Sequence, residues 1–165
     1  MSLGQYIKDN IKIASYLDKE LTRPAWRSTP FWLDEPMKVY KPLCNDHCRF
    51  LFTFNIGSKR YMLKIDEHPD FLQCEHEILV WSRIQKVHKK YFVPIMCGAV
   101  PNDGPPWIVC PFVPNLTLQE STCEQEQIIN DLEATYELYD LRFNSNWFIY
   151  NGRPLIVDYG VQRGW

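Results

Sequence analysis

Tyr139–Gly160 reads YDLRFNSNWFIYNGRPLIVDYG, and its order of acid, amide and second acid decides how the rest of the chain is read. Asp140 precedes Asn146, and two apolar runs, Trp147–Tyr150 and Leu155–Val157, flank Asn151-Gly152. Asn-Gly between two apolar runs is the sequence mark of a tight β-hairpin, because both central residues of such a turn need positive φ. A hairpin folded there brings Asn146 and Asp158 to the same end. An amide oxygen and a carboxylate placed together are hard ligands suited to a divalent cation. The plainer alternative is a surface hairpin whose Asp and Asn serve only as turn formers.

Working back from the hairpin, Phe50, Phe52, Phe54 and Ile56 alternate with Leu51, Thr53 and Asn55, which predicts a strand with one aromatic face. Gly57-Ser58 turns the chain, and Arg60–Ile65 returns as the partner strand. Met37–Leu43 is a candidate first strand, and Val93–Val100 and Trp107–Val113 are two more. Asp70 is expected to cap a helix running to about His88, and Ser121 with Glu124 forms a capping box for a helix from Thr122 to Tyr139. An apolar stripe suggests a further helix over Leu3–Leu21, followed by a Pro-broken connector.

Tyr61-Met62-Leu63-Lys64-Ile65 sets a lysine inside an apolar strand, a costly position unless the ammonium finds a partner. The alternative is an edge-strand lysine that points to solvent. Glu75 and Glu77 on the following helix are the candidate partners. Glu75 has Phe71, Ile78 and Leu79 at neighbouring helical positions, which favours it for the inward stripe. Glu77 stays open as the alternative.

These residues resemble the protein-kinase-like superfamily, whose catalytic segment H-x-D-x-x-x-x-N is followed by D-F-G. The likeness is closest to the aminoglycoside- and choline-kinase-like phosphotransferases: Tyr61–Ile65 is similar to their Y-V-L-K-V strand, and Glu75 with Trp81 to their R-E-x-x-x-L-x-W-L helix. It implies an α+β fold: a kinase-like N-lobe over 37–114, with an antiparallel five-stranded sheet and one helix, then a rudimentary C-lobe over 115–165 of one helix and a β-hairpin. Residues 1–36 form the preceding helix and connector. The resemblance further implies ATP and Mg²⁺ as cofactors. Lys64 and Glu75 would position phosphates, Phe112 and Val113 would offer hinge backbone to the adenine, Asn146 and Asp158 would hold the metal, and Asp140 would orient an acceptor hydroxyl.

The pattern departs from the family in several places. Tyr139-Asp140 lacks the histidine, five residues rather than four separate Asp140 from Asn146, and Tyr159 replaces phenylalanine. Asn144 is an alternative amide ligand if the loop is bulged. The segment Pro42–Cys48, between the first two strands, contains no glycine and carries Asp46, where backbone N–H groups should approach phosphate. The sequence given stops five residues after Gly160, before any acceptor-binding helices. The expected function is therefore nucleotide and Mg²⁺ binding with weak or no transfer, unless a homodimer or protein partner completes the surface. Two further readings are a non-catalytic interaction or nucleotide-sensing module of the same fold, and an unrelated small α+β binding protein.

Composition sets outer bounds. With 45% hydrophobic residues, including six Trp, nine Tyr and nine Phe, the chain can bury a substantial core. A net charge of −2 disfavours a dedicated nucleic-acid binder, and no apolar run approaches the roughly 20 residues that cross a bilayer. Without a signal-like N-terminus, the expected location is the cytoplasm, with Cys44, Cys48, Cys74, Cys97, Cys110 and Cys123 as reduced thiols. Cys44, His47 and Cys48, with Cys74 or His76, form a weaker candidate for zinc because the spacing fits no standard finger.

Overall fold

Strand alternation around Phe54 and Lys64 builds the main sheet of this mixed α+β protein. The computed structural model describes residues 39–40, 45–46, 49–56, 58–66, 72–102, 105–114, 123–138, 141 and 146–159. β1 (Val39–Tyr40), β2 (Asn45–Asp46), β3 (Arg49–Ile56), β4 (Lys59–Asp66), β5 (Cys97–Ala99) and β6 (Trp107–Pro111) form one antiparallel sheet. Its order is β1-β3-β4-β6-β5, with the two-residue β2 also paired to β3. Each of the five expected strands has a counterpart in this sheet, with one short strand added. The predicted helix over Leu3–Leu21 and its connector lie outside the described residues.

β3 and β4 pair along their whole length, from Arg49↔Asp66 to Ile56↔Lys59. Each strand of this hairpin supplies one ring to a stacked pair, Phe54 and Tyr61, with centroids 5.5 Å apart. Such a pair adds to simple area burial. β4 is a central strand, flanked by β3 and β6, and its Tyr61, Leu63 and Ile65 are buried with Trp107 and Val109 of β6.

Two compact units divide the chain: residues 1–75 with 95–112, and residues 76–94 with 113–165. The first holds the main sheet. In the second, α2 (Cys123–Tyr136) lies with a two-stranded antiparallel hairpin, β7 (Trp147–Tyr150) and β8 (Arg153–Ile156). Its core includes Phe92, Val93, Leu132, Leu138, Leu141, Ile156 and Tyr159, all buried. Tyr159 packs edge-on against Phe92 at 5.1 Å and donates its hydroxyl to the Val93 carbonyl at 3.2 Å. The helix α1 (Gln73–Arg83) starts in the first unit and ends in the second.

Several predicted boundaries move, each for an identifiable reason. α1 ends at Arg83 rather than near His88. The Gln85 N–H leaves the helical ladder to donate to the Tyr136 hydroxyl at 2.9 Å, and tighter turns continue through a 3₁₀ segment at Lys89–Tyr91. The apolar run Val93–Val100 is not one strand. The Val93 N–H donates to Ile156 O, Pro94 has no N–H to offer, and the chain meets the sheet only from Met96, whose N–H donates to Val109 O at 2.8 Å, into the strand Cys97–Ala99. β6 stops at Pro111, two residues short of Val113. α2 ends at Tyr136 instead of Tyr139, where Glu137 takes φ 57°. That left-handed residue terminates helices, usually as glycine. Ser121 of the predicted Ser121–Glu124 capping box and the predicted cap Asp70 both lie outside the described residues.

Candidate functional site

Lys64 sits two residues before the end of the central strand β4, with Leu51 opposite on β3 and Ile108 opposite on β6. It is 3% exposed, so it is not an edge lysine reaching into water. Strand alternation puts Met62, Lys64 and Asp66 on one face of β4 and Tyr61, Leu63 and Ile65 on the other. Asp66 is fully buried, and Arg49, its directly opposed residue on β3, is buried as well. One sheet face thus concentrates two cations and an anion away from water, an arrangement that is expensive unless the groups are held in good geometry.

The same face receives the start of α1. Leu72, just ahead of the helix, has no side-chain acceptor for the orphan N–H groups of the first turn. Asp66 supplies it from the end of β4, accepting the Cys74 N–H at 3.2 Å with Oδ1 and 3.0 Å with Oδ2. The Cys74 thiol, also fully buried, donates to the Lys64 carbonyl at 3.6 Å. Sequence reading missed this role of Asp66, although its spacing of two from Lys64 already set both on one face of a strand.

The two candidate acids of α1 are treated differently by the fold. Cys74, Glu77, Val80 and Ile84 form the buried stripe, three or four residues apart, and Glu77 is 0% exposed. Glu75, which the sequence reading put on the inward stripe, is half-buried. Its supposed neighbour Leu79 is among the exposed large apolar residues. The apolar residues 78 and 79 misled the periodicity because a charged residue holds one of the buried positions.

At the predicted hinge, Phe112 does not keep its donor free. Its N–H donates to Arg60 O at 3.0 Å, extending the β4–β6 ladder one step past Tyr61↔Pro111. The Arg60 guanidinium covers the Phe112 ring at 4.1 Å and donates to Thr53 Oγ1 at 3.0 Å. Among the described residues nothing accepts the Val113 N–H, so Val113 carries the donor of this pair that a ligand could use.

In the C-terminal hairpin, Asn151 (φ 51°) and Gly152 (φ 73°) both take positive φ, as a two-residue Asn-Gly turn demands. The register Trp147↔Ile156 continues one step, with the Val157 N–H donating to Asn146 O at 3.1 Å. Asn146 is therefore opposite Val157, and Asp158 is the next residue, roughly 3.4 Å further along the chain. Asn146 is buried and Asp158 half-buried. The backbone thus brings both residues to the same end of the hairpin. Asp140 and the alternative amide Asn144 lie outside the described residues.

The zinc candidates Cys44, His47 and Cys48 are also outside them, apart from the short strand at Asn45–Asp46. Among the described residues no group of three or more His, Cys, Asp or Glu could hold a metal ion. Cys74, Cys97 and Cys110 are thiols and not disulfides.

A second cluster was invisible in the sequence because its members are 48 residues apart. Tyr136 Oη lies 2.8 Å from His88 Nδ1, and His88 Nε2 lies 3.4 Å from Asp131 Oδ2. The Tyr136 oxygen accepts the Gln85 N–H and keeps both a lone pair and its own hydrogen, so its role toward Nδ1 depends on the His88 tautomer. With the Asp131 carboxylate as acceptor at Nε2, the neutral tautomer that satisfies both contacts carries its proton on Nε2 and takes the tyrosine hydrogen at Nδ1. His76, Arg83, Gln85, Tyr136 and Glu137 line a cavity of about 510 Å³ in the same unit.

No protein-family model matches the chain, and no curated protein matches it.

Proposed function

We propose that this chain is a minimal kinase-like protein that binds a nucleotide with Mg²⁺ and has little or no phosphoryl-transfer activity alone. The burial of Lys64 at the centre of the sheet carries the reading. A lysine in that position is costly for structure, and a strand lysine followed by an acid-bearing helix is how kinase-like proteins hold phosphates. Of the two acids on that helix, burial supports Glu77 and motif spacing supports Glu75. The donor at Val113 supports contact with a base edge. Asn146 and Asp158 supply oxygen ligands for the metal, and Asp140 is the candidate to orient an acceptor.

One observation favours the non-catalytic version of this reading. Asn45 and Asp46 pair with Phe50 and Arg49, so part of the glycine-free segment that would cover phosphates is fastened to β3. A cover fixed on the sheet gives phosphate fewer backbone donors, and misplacement of about 1 Å costs roughly a hundredfold in rate.

Titration of the full chain with a fluorescent ATP analogue, with and without Mg²⁺, tests the proposal. Mg²⁺-dependent binding that is lost in Lys64→Ala and Asp158→Ala, both checked for folding by circular dichroism, supports it. Equal affinity in wild type and Asp158→Ala removes the metal role, and no binding by wild type removes the nucleotide reading. Robust ATP turnover lost in Asp140→Ala would show an active enzyme.

A further inference from the structure

The stretch from Ile78 to Asn102 contains no Asp or Glu, although the chain as a whole is acidic. It carries Arg83, Lys86, Lys89 and Lys90, and these four charges set against the chain's formal −2 leave the remaining residues at −6. The fold gathers the four cations within eight residues, at the end of α1 and the turn that follows. Arg83, Lys86 and Lys90 are exposed. Val87 stands in their midst with 58% of its surface in water, the most exposed of the large apolar residues described.

Two aromatic rings support the cations. Lys89 Nζ lies 4.3 Å from the centre of the Trp81 ring, and Lys90 Nζ lies 4.8 Å from that of Tyr91. The turn itself is fixed from below. The Gln85 N–H and His88 Nδ1 both bond to the Tyr136 hydroxyl, and Asp131, also on α2, is the acid that meets His88. The apolar tip and its ring of charge are thus presented by hydrogen bonds on either side of Val87.

We propose that this turn docks on an anionic lipid surface, with Val87 entering the headgroup region and the four cations lying among lipid phosphates and carboxylates. The proposal is independent of the nucleotide reading. Crossing a bilayer needs a long apolar helix, but surface binding needs only basic residues around a small apolar insertion, with Trp and Tyr at headgroup depth. A nucleic acid fits less well. Its backbone offers nothing to an exposed aliphatic side chain, and Trp81 and Tyr91 each already hold an ammonium against the ring that a base would stack on.

Sedimentation of the full chain with vesicles tests this, using 30% phosphatidylserine in phosphatidylcholine against phosphatidylcholine alone at low salt. Binding to the anionic vesicles only, weakened by added salt, is the expected result. Each basic residue near such a surface contributes enough that Lys86→Glu with Lys90→Glu should weaken binding by roughly a hundredfold or more. Val87→Asp should weaken it further than its single charge explains, while Val87→Leu retains it. All these side chains are exposed, so circular dichroism should be unchanged. The proposal is overturned by wild type that ignores anionic vesicles, by binding indifferent to the double reversal or to Val87→Asp, or by binding to single-stranded RNA or duplex DNA without vesicle binding.

Discussion

Both carboxylate oxygens of Asp66 face the backbone N–H of Cys74, so the last residue of β4 caps the first turn of α1. This ties the lysine strand to the helix that follows it, and the negative charge also suits the positive end of the helix dipole. Asp66→Ala leaves a buried N–H without its acceptor and should cost about 2 kcal/mol or more. Asp66→Asn keeps one acceptor oxygen and should cost less. Urea unfolding of the two variants checks the order; Asp66→Ala with wild-type stability would show that the cap contributes nothing.

The Asn151-Gly152 turn is limited by backbone conformation and not by space, since a Cβ added at Gly152 would meet nothing within 4 Å. At φ 73° an L side chain is strained regardless. Gly152→Ala should therefore destabilise the protein by about 1 kcal/mol. If Asn146 and Asp158 hold Mg²⁺, metal-dependent nucleotide binding should fall with it. Thermal unfolding and binding titrations measure the two effects separately.

Glu137 ends α2 in a left-handed conformation that glycine adopts without strain. Its N–H still reaches Glu133 O at 3.0 Å, so the backbone bond survives substitution. Glu137→Gly should stabilise the protein by about 0.5–1 kcal/mol, a rise of roughly 1–4 °C in Tm for a chain of this size. A lower Tm would mean that the glutamate side chain contributes more than its backbone strain costs.

Tyr136→Phe keeps the ring and deletes the oxygen that accepts the Gln85 N–H and bonds His88. About 1 kcal/mol of stability should be lost, because these groups are only partly buried. The variant also separates structure from tautomer. In wild type at a pH where His88 is neutral, ¹⁵N spectra should show the proton on Nε2; without the tyrosine hydroxyl, that preference should weaken. An unchanged tautomer would assign it to Asp131 alone.

Local pattern was enough for the elements whose identity depends on neighbours in sequence. Period-two alternation marked β3 and β4, and Asn-Gly marked the hairpin that brings Asn146 near Asp158. The alternation of Tyr61–Ile65 singled out Lys64 as costly. What the sequence could not settle was decided by contacts between distant residues. Glu77 holds a buried position because the helix turns it toward packed neighbours, although Ile78 and Leu79 beside it are the apolar ones. Phe112 lost its free donor to Arg60, a bond that exists only once β4 and β6 pair. α1 stops at Arg83 because a tyrosine more than fifty residues later takes the Gln85 N–H. Periodicity reports which side chains prefer burial, whereas backbone hydrogen bonds across the fold choose among the partners that satisfy them.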